Sequence, residues 1–357
     1  MKQCTSSISS LATNSTGAPP APFNGIVSES IKIGMTTAYA VIFVIALLGN
    51  SFGLFVVLKK SSRSTLRSTS ATNLFIANMA AADLLLTVTL MPYQVAYLYR
   101  LTDWIGGLLG TITCKALFYL IAVSIAATVL TVMLISFDRF YAVFYPLKQK
   151  IFRKPKILTA TIWILSSVLM LPYSMMHQVQ FNPTLNVHQC LQVWPWDDLN
   201  DPTFRETYRV FKIFYTIVFV ILYALPLSIT GIIYFLICRK LWSRKIPGNA
   251  TDNNRAAAEK TKRKVVRLLV VIVVVFALCW FPVHVVHFLR CFLPYSPRKL
   301  PLEVELFFVW LGHANSAINP CLYILMSENF QRELASTLGS CCLCLRRLNC
   351  LPNCPNT

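Results

Sequence analysis

Residues 114–146 read CKALFYLIAVSIAATVLTVMLISFDRFYAVFYP, with no charged side chain between Lys115 and Asp138. At the helical rise the stretch from Cys114 to Arg139 covers about 37 Å, more than the roughly 30 Å of bilayer hydrocarbon. Leu, Ile, Val and Ala fill its middle, where the small hydroxyl residues are Ser124, Thr128, Thr131 and Ser136. The pattern predicts a membrane-spanning helix rather than a soluble core helix. One end carries a cysteine, and the other a buried pair of opposite charges, Asp138 and Arg139.

The rest of the chain fits a membrane setting. Of its 357 residues 55% are hydrophobic and 13% charged, and the mean hydropathy is positive; a soluble domain of that composition exposes too much apolar surface. The formal net charge of +19 comes from Lys and Arg in short clusters between apolar runs. Positive-inside loops have this pattern, and it argues against a nucleic-acid surface. The 12 cysteines are scattered, apart from Cys341, Cys342 and Cys344 near the end, which indicates neither a zinc module nor a small disulfide scaffold.

Apolar runs fall at roughly 35–58, 72–99, 112–144, 157–177, 208–238, 265–292 and 303–326, each long enough to span. The connections carrying Lys59 to Arg67, Lys148 to Lys156 and Arg239 to Arg267 alternate with connections poorer in cations. The basic ones are expected to be cytoplasmic, which puts the N-terminus outside and the C-terminus inside the plasma membrane. Residues 1–34 are rich in Ser, Thr, Pro and Ala without the apolar core of a signal peptide, so a disordered tail with no cleavable leader is expected. Within it Asn14-Ser15-Thr16 is a glycosylation sequon; Asn249-Ala250-Thr251 is another, on the wrong side of this topology. The expected fold is an all-α membrane protein, a seven-transmembrane helix bundle over 35–326. A short amphipathic eighth helix (327–340) and a Cys-rich cytoplasmic tail (341–357) follow. A transporter of seven spans would be expected to show internal repeats, and the chain has none.

Several polar residues fall inside these runs, among them Asn50, Asn73, Asp83, His284, His287, His313, Asn315, Ser316 and Asn319. Hydrocarbon penalises such groups, so they are either glue between helices or part of a functional path. Asp83 is the sharpest case. Two readings stay open for it: a protonated carboxyl tied to Asn50 and Asn319, or an ion site.

The ordered set Gly49-Asn50, Asn73-Leu74, Ala81-Ala82-Asp83, Asp138-Arg139-Phe140, Trp163, Pro226 with Tyr234, Cys279-Trp280-Phe281-Pro282 and Asn319-Pro320-Cys321-Leu322-Tyr323 resembles the rhodopsin-like (class A) G-protein-coupled receptors. The likeness covers about residues 35–340. It implies a disulfide between Cys114 and Cys190, the latter in the loop after the fourth span. Cys4 and Cys291 form either a second bridge or two free thiols. The resemblance implies that Asp138 holds Arg139 at rest and that Arg139 turns to a heterotrimeric G protein on activation, with Phe140 in place of the usual Tyr. Phe276, Trp280, Pro226 and Val129 match a packed relay below the ligand pocket, with Pro282 beside it. Asn319, Pro320, Tyr323 and Tyr234 match a water-linked polar switch. Asp83, Ser124, Thr128, Asn315 and Asn319 match the family's allosteric sodium pocket; no other cofactor and no enzyme activity are implied. The acidic brace that many relatives place at the foot of the sixth helix is replaced by Lys260-Thr261-Lys262-Arg263-Lys264, so appreciable basal activity is expected.

The ligand is approached by exclusion. The retinal lysine of pigments is matched by His313, and the third-helix aspartate of amine receptors by Ile121, which disfavours both classes. Gln94, Phe118, Ile121, Ala122, Ile125, His284, His287, Glu305, Val309 and His313 make a mixed aromatic and polar outer pocket. There His284, His287 and Glu305 can converge on one ligand; a metal is disfavoured for want of a third firm ligand. Gln94 and the histidines suit peptide amides, and Glu305 or Glu303 a cationic group. The polar loop HQVQFNPTLNVHQCLQVWPWDDLNDPTFRE, with Trp194, Trp196, Asp197, Asp198 and Asp201, resembles the lids of the neuropeptide-receptor branch. An extracellular peptide ligand is therefore expected; the alternatives are a lipid or other small molecule, or a constitutively active orphan receptor. At the inner side the basic face suits anionic lipid head groups. Phe330 and Leu334 oppose Arg332 on an amphipathic segment, and Cys341 and Cys342 look like palmitoylation sites. The tail is short and poor in hydroxyls, so weak arrestin recruitment is expected.

Overall fold

The computed structural model describes residues 27–63, 71–145, 154–194, 205–243, 253–292, 300–326 and 330–337. Asn14, Cys4, Trp196, Asp197, Asp198, Asp201, Asn249, Cys341 and Cys342 lie outside them. Where water is excluded, an apolar chain satisfies its backbone within itself by forming helix. The first three rods are Glu29–Arg63, Ala71–Arg100 and Gly107–Phe144. The fourth is Pro155–Leu169. The fifth runs through Arg205–Phe219, a π turn at Val220–Ala224 and Leu225–Trp242. The sixth is Asn253–Phe292 and the seventh Leu302–Met326. Helix also covers residues 330–337.

Five of the seven rods are long and apolar enough to cross a membrane on length and composition alone. The fourth is not, because the run expected to continue to 177 is interrupted. Pro172 has no N–H to offer the carbonyl of Val168, so the helix stops at Leu169 and a separate turn, Leu171–Met175, follows. The seventh is diluted by His313, Asn315, Ser316 and Asn319, which are all buried and so serve the bundle instead of facing lipid. Side chains such as Leu48 and Leu58 of the first helix, Ile164 and Val168 of the fourth, and Ile232 and Phe235 of the fifth are exposed, as expected of a hydrocarbon-facing surface.

The third helix is the central strut. It begins about two turns before Cys114 and packs against the second, fourth and fifth rods, burying residues from Gly110 to Asp138. Two glycines set the spacing around it. A Cβ on Gly49 would lie 2.6 Å from the ring of Pro320, and one on Gly312 would lie 2.6 Å from Val283. Any larger residue would push the first helix from the seventh, or the seventh from the sixth.

At the end of the third helix marked by Cys114 the connections fold into a small antiparallel sheet. Strand β1 (Asp103–Trp104), β2 (His177–Asn182) and β3 (Val187–Gln192) take the order β1-β3-β2. Asn182 sets the β2–β3 turn by accepting hydrogen bonds from the amides of Thr184 and Leu185, at 3.0 and 3.3 Å. Cys190 of β3 is bonded to Cys114, with Cα atoms 5.9 Å apart, so the hairpin is pinned to the third helix across 76 residues of sequence. The all-α expectation therefore holds for the spans, and this sheet lies outside them. Removing a native disulfide costs a small domain about 2–5 kcal/mol. Cys114→Ser and Cys190→Ser should each lower the melting temperature of the detergent-solubilised protein, and the double variant should melt no lower than either; additive losses would contradict the pairing.

Candidate functional site

The end opposite the disulfide carries the charged pair. Arg139 donates from Nη2 and Nε to Asp138 Oδ2, at 2.5 and 3.1 Å, so the two neighbours close on each other at the foot of the third helix. Above them an apolar layer separates this end from the rest. Tyr234 and Tyr323 line a cavity of about 10 Å³ together with Met79, Ile135, Leu269 and Ile272. Its walls offer too few polar groups to hold a water well, and the Tyr323 hydroxyl donates instead to Met79 Sδ at 3.6 Å. At the foot of the sixth helix Arg263 Nη2 donates to the carbonyl of Leu241 on the fifth at 2.8 Å. Lys240 lies 4.0 Å from the ring of Phe144.

Midway along the bundle Asp83 is 1% exposed. Ser316 Oγ donates to one of its oxygens at 3.0 Å and Asn319 Nδ2 to the other at 2.8 Å. Asn50, expected as a partner of Asp83, instead donates to the carbonyls of Ala46 and Ser316, both at 2.9 Å. It thus supports Asp83 through the backbone of the residue that binds it. Asn50 Oδ1, Thr128 Oγ1, Asn315 Oδ1 and Asn319 Oδ1 are buried without a hydrogen bond of ordinary geometry, and Ser124 Oγ donates to Leu120 O at 2.7 Å. A second polar knot joins three rods. Trp163 Nε1 donates to Asn78 Oδ1 at 2.8 Å, and Asn78 Nδ2 donates to Thr131 Oγ1 at 2.7 Å.

Towards the disulfide end Trp280 packs with Phe276, Val129, Tyr223, Cys279 and Val283, its ring 6.1 Å from that of Phe276. The residues expected to converge above it take separate directions. His284 faces Tyr223 and Phe219, at 4.4 and 5.1 Å between rings, and His287 faces Tyr215 at 5.2 Å. Glu305 accepts a hydrogen bond from Arg290 Nη2 at 2.6 Å, so its charge is met within the chain. His313 turns to the first helix, its Nδ1 3.0 Å from the hydroxyl of Tyr39. Ile121 packs with Leu86 and Leu90, and Ile125 beside it; Gln94 is half-buried. Phe118 is covered by His177 of β2, the rings stacked at 4.0 Å and 9°.

Arg290, Tyr39, Tyr223, Asn78 and His177 were not picked out from the sequence. Arg290 stands one helical turn after His287, a spacing that could have marked it. His177 stands where the fourth apolar run meets the polar lid loop, and the end of the fourth helix at Leu169 leaves it at the start of β2. Its Nδ1 lies 2.7 Å from the carbonyl of Tyr173, and burial pushes the imidazole from its ordinary 6.5 down to about 4.

A bundle of this kind, with a disulfide-pinned lid at one end and an Asp–Arg pair at the other, defines a seven-transmembrane receptor. Residues 49–323 match the family described as 7 transmembrane receptor (rhodopsin family). The chain belongs to this family, a multi-pass membrane family of receptors and not of enzymes, whose members signal through G-protein coupling in response to a ligand.

His177 gives a pH test. Its folded-state value lies below the unfolded one, so the unfolded chain binds the proton first, and stability present above pH 6.5 is lost as the pH falls towards 4. That window is worth about 3 kcal/mol. In melting curves from pH 7 to 4 the native chain should lose more stability than His177→Gln; parallel curves would contradict the assignment.

Proposed function

We propose that the chain is a receptor for an extracellular peptide that activates heterotrimeric G proteins by outward movement of its sixth helix. The lidded disulfide end faces outward and the Asp138 end faces the cytosol. The observation that carries the peptide reading is the β2–β3 hairpin pinned over the bundle mouth, with His284, His287, Gln94 and aromatic rings beneath it. Such a mouth offers hydrogen-bond partners and ring faces along an extended ligand. Because Arg290 already meets Glu305, a basic ligand group that reaches Glu305 must compete with an internal ion pair. This favours selectivity over raw affinity.

On this reading Asp138 restrains Arg139, and the apolar layer around Tyr234 and Tyr323 keeps the cytosolic end shut. Agonist shifts the population towards the conformer it binds better. Cytosolic Arg239, Lys264 and Arg267 are exposed and meet anionic lipid and G protein. Asn14 is proposed as glycosylated and Cys341 and Cys342 as palmitoylated. The residues around Asp83 also fit a sodium ion. The donor set is a carboxylate with Ser124, Thr128, Asn315 and Asn319 oxygens, all hard ligands, and the buried Asn315 and Asn319 side-chain oxygens, which accept no hydrogen bond, are the kind of group that an ion or water satisfies. The bound ion would offset the carboxylate charge; the chain's own part is to hold Asp83 by Ser316 and Asn319.

Two experiments test these readings. In cells expressing the chain, a library of amidated peptides should give a saturable second-messenger response that Arg139→Ala abolishes and Glu305→Gln shifts to roughly tenfold higher concentration, the loss of one charged hydrogen bond. A response confined to amines or lipids would overturn the peptide reading, and silence with high basal signalling would favour a ligand-independent receptor. For the ion, raising sodium at constant ionic strength with potassium should raise the melting temperature of the native chain and leave Asp83→Asn unmoved. An equal rise in both would remove the site.

A further inference from the structure

Tyr223 lies on the π turn Val220–Ala224, three residues before Pro226. The wide turn, closed by the Leu225 N–H on the carbonyl of Val220, inserts a residue into the fifth helix and so resets which side chains face inward. Tyr223 is buried as a result. Its ring lies 4.4 Å from His284, 5.5 Å from Phe219 and 6.5 Å from Phe276. Its hydroxyl crosses to the sixth helix and donates to the carbonyl of Ala277 at 2.9 Å.

Ala277 sits five residues before Pro282 and three before Trp280. Proline offers no N–H to the carbonyl of Leu278 and its ring crowds that turn, so the sixth helix bends most easily at this level. A carbonyl on that turn changes its direction as the bend changes. A hydrogen bond to it from a neighbouring helix therefore stabilises one bend over others. The other contacts given for Tyr223, with Phe219, Phe276 and the ring of His284, are ring packing, which tolerates sliding better than a directional bond does.

We propose that Tyr223 is a positioning residue: its hydroxyl holds the hinge of the sixth helix in the resting bend through Ala277, one side chain away from His284 and the ligand mouth. This rests on the reading that the sixth helix moves outward on activation. The aromatic ring is rigid, so a shift of His284 that displaces the ring also displaces the hydroxyl. The restraint is thereby placed where a ligand can reach it.

The test is the distance between spin-labelled noncanonical residues replacing Lys156 and Arg267, measured by pulsed electron resonance on the purified full chain without ligand. Tyr223→Phe keeps the ring and removes the bond. It should raise the ratio of long to short distances roughly fivefold, the effect of one hydrogen bond of ordinary net strength. Tyr119→Phe is the control. It removes a like bond, from Tyr119 to the carbonyl of Ser167 at 3.0 Å, between the third and fourth helices, and should leave the distances unchanged. Unaltered distances in Tyr223→Phe, or equal changes in both variants, would overturn the restraint. Nucleotide exchange on a panel of purified G-protein heterotrimers is measured alongside. Exchange raised by Tyr223→Phe and abolished by adding Arg139→Ala agrees with the coupling reading. Longer distances without exchange would leave the restraint standing and count against that reading alone.

Discussion

A carboxylate in the middle of a membrane bundle must be given partners, and much of the architecture follows from doing so for Asp83. Its partners Ser316 and Asn319 both come from the seventh helix, so the second and seventh helices must approach to hydrogen-bond distance. The first helix then fits against the seventh closely enough that Gly49 tolerates no side chain opposite Pro320. Asn50 completes the arrangement by bonding the carbonyl of Ser316. The polar content that makes the seventh helix a poor span by hydropathy is thus what fixes its place. Unpaired in hydrocarbon, the same groups would each be costly; gathered, they form a joint that apolar packing alone would not specify.

The knot of Asn78, Thr131 and Trp163 does the same for the second, third and fourth helices. Helix contacts in lipid lack a hydrophobic driving force, since the surrounding medium is as apolar as the side chains. Directional bonds then set rotation and depth, and dispersion fills the remaining space. The short fourth helix illustrates the division. It shows little buried surface of its own, yet Trp163 fixes its rotation, and Tyr119 ties its end to the third helix through the carbonyl of Ser167.

Spans, their order and the paired Asp138 and Arg139 were legible because they depend on composition and on neighbours in sequence. The Cys114–Cys190 pairing was legible through the family likeness. What was not legible depends on direction. Glu305, His284 and His287 sit within reach of one point along their helices, but helix phase and a local partner decide where each side chain goes. Arg290 takes Glu305, while Tyr223 and Tyr215 take the histidines. The π turn of the fifth helix has no compositional mark apart from the later Pro226, and it alone turns Tyr223 inward. His177 sits at the boundary between the fourth apolar run and the lid loop, where hydropathy alone does not mark the end of the helix. Pro172, with no N–H for the carbonyl of Val168, ends the fourth helix, and a further helical turn, Leu171–Met175, leads into β2.

These ties also differ in how easily they can be exchanged. The second helix is joined to the third and seventh by bonds between side chains buried on both sides, and to the fourth by the half-buried Trp163, so breaking one leaves a polar group stranded in an apolar interior. The sixth helix is joined to the fifth by Tyr223 to Ala277 O and by Arg263 to Leu241 O, single donors placed on backbone carbonyls. Another carbonyl, or head-group water in the case of Arg263, can replace such an acceptor at small cost. The hinge at Pro282 lies five residues beyond Ala277, so both bonds fall on the same side of it along the helix. A bundle built this way has a fixed half, organised around Asp83 and Asn78, and one rod whose polar contacts to the fifth helix can be remade as it moves.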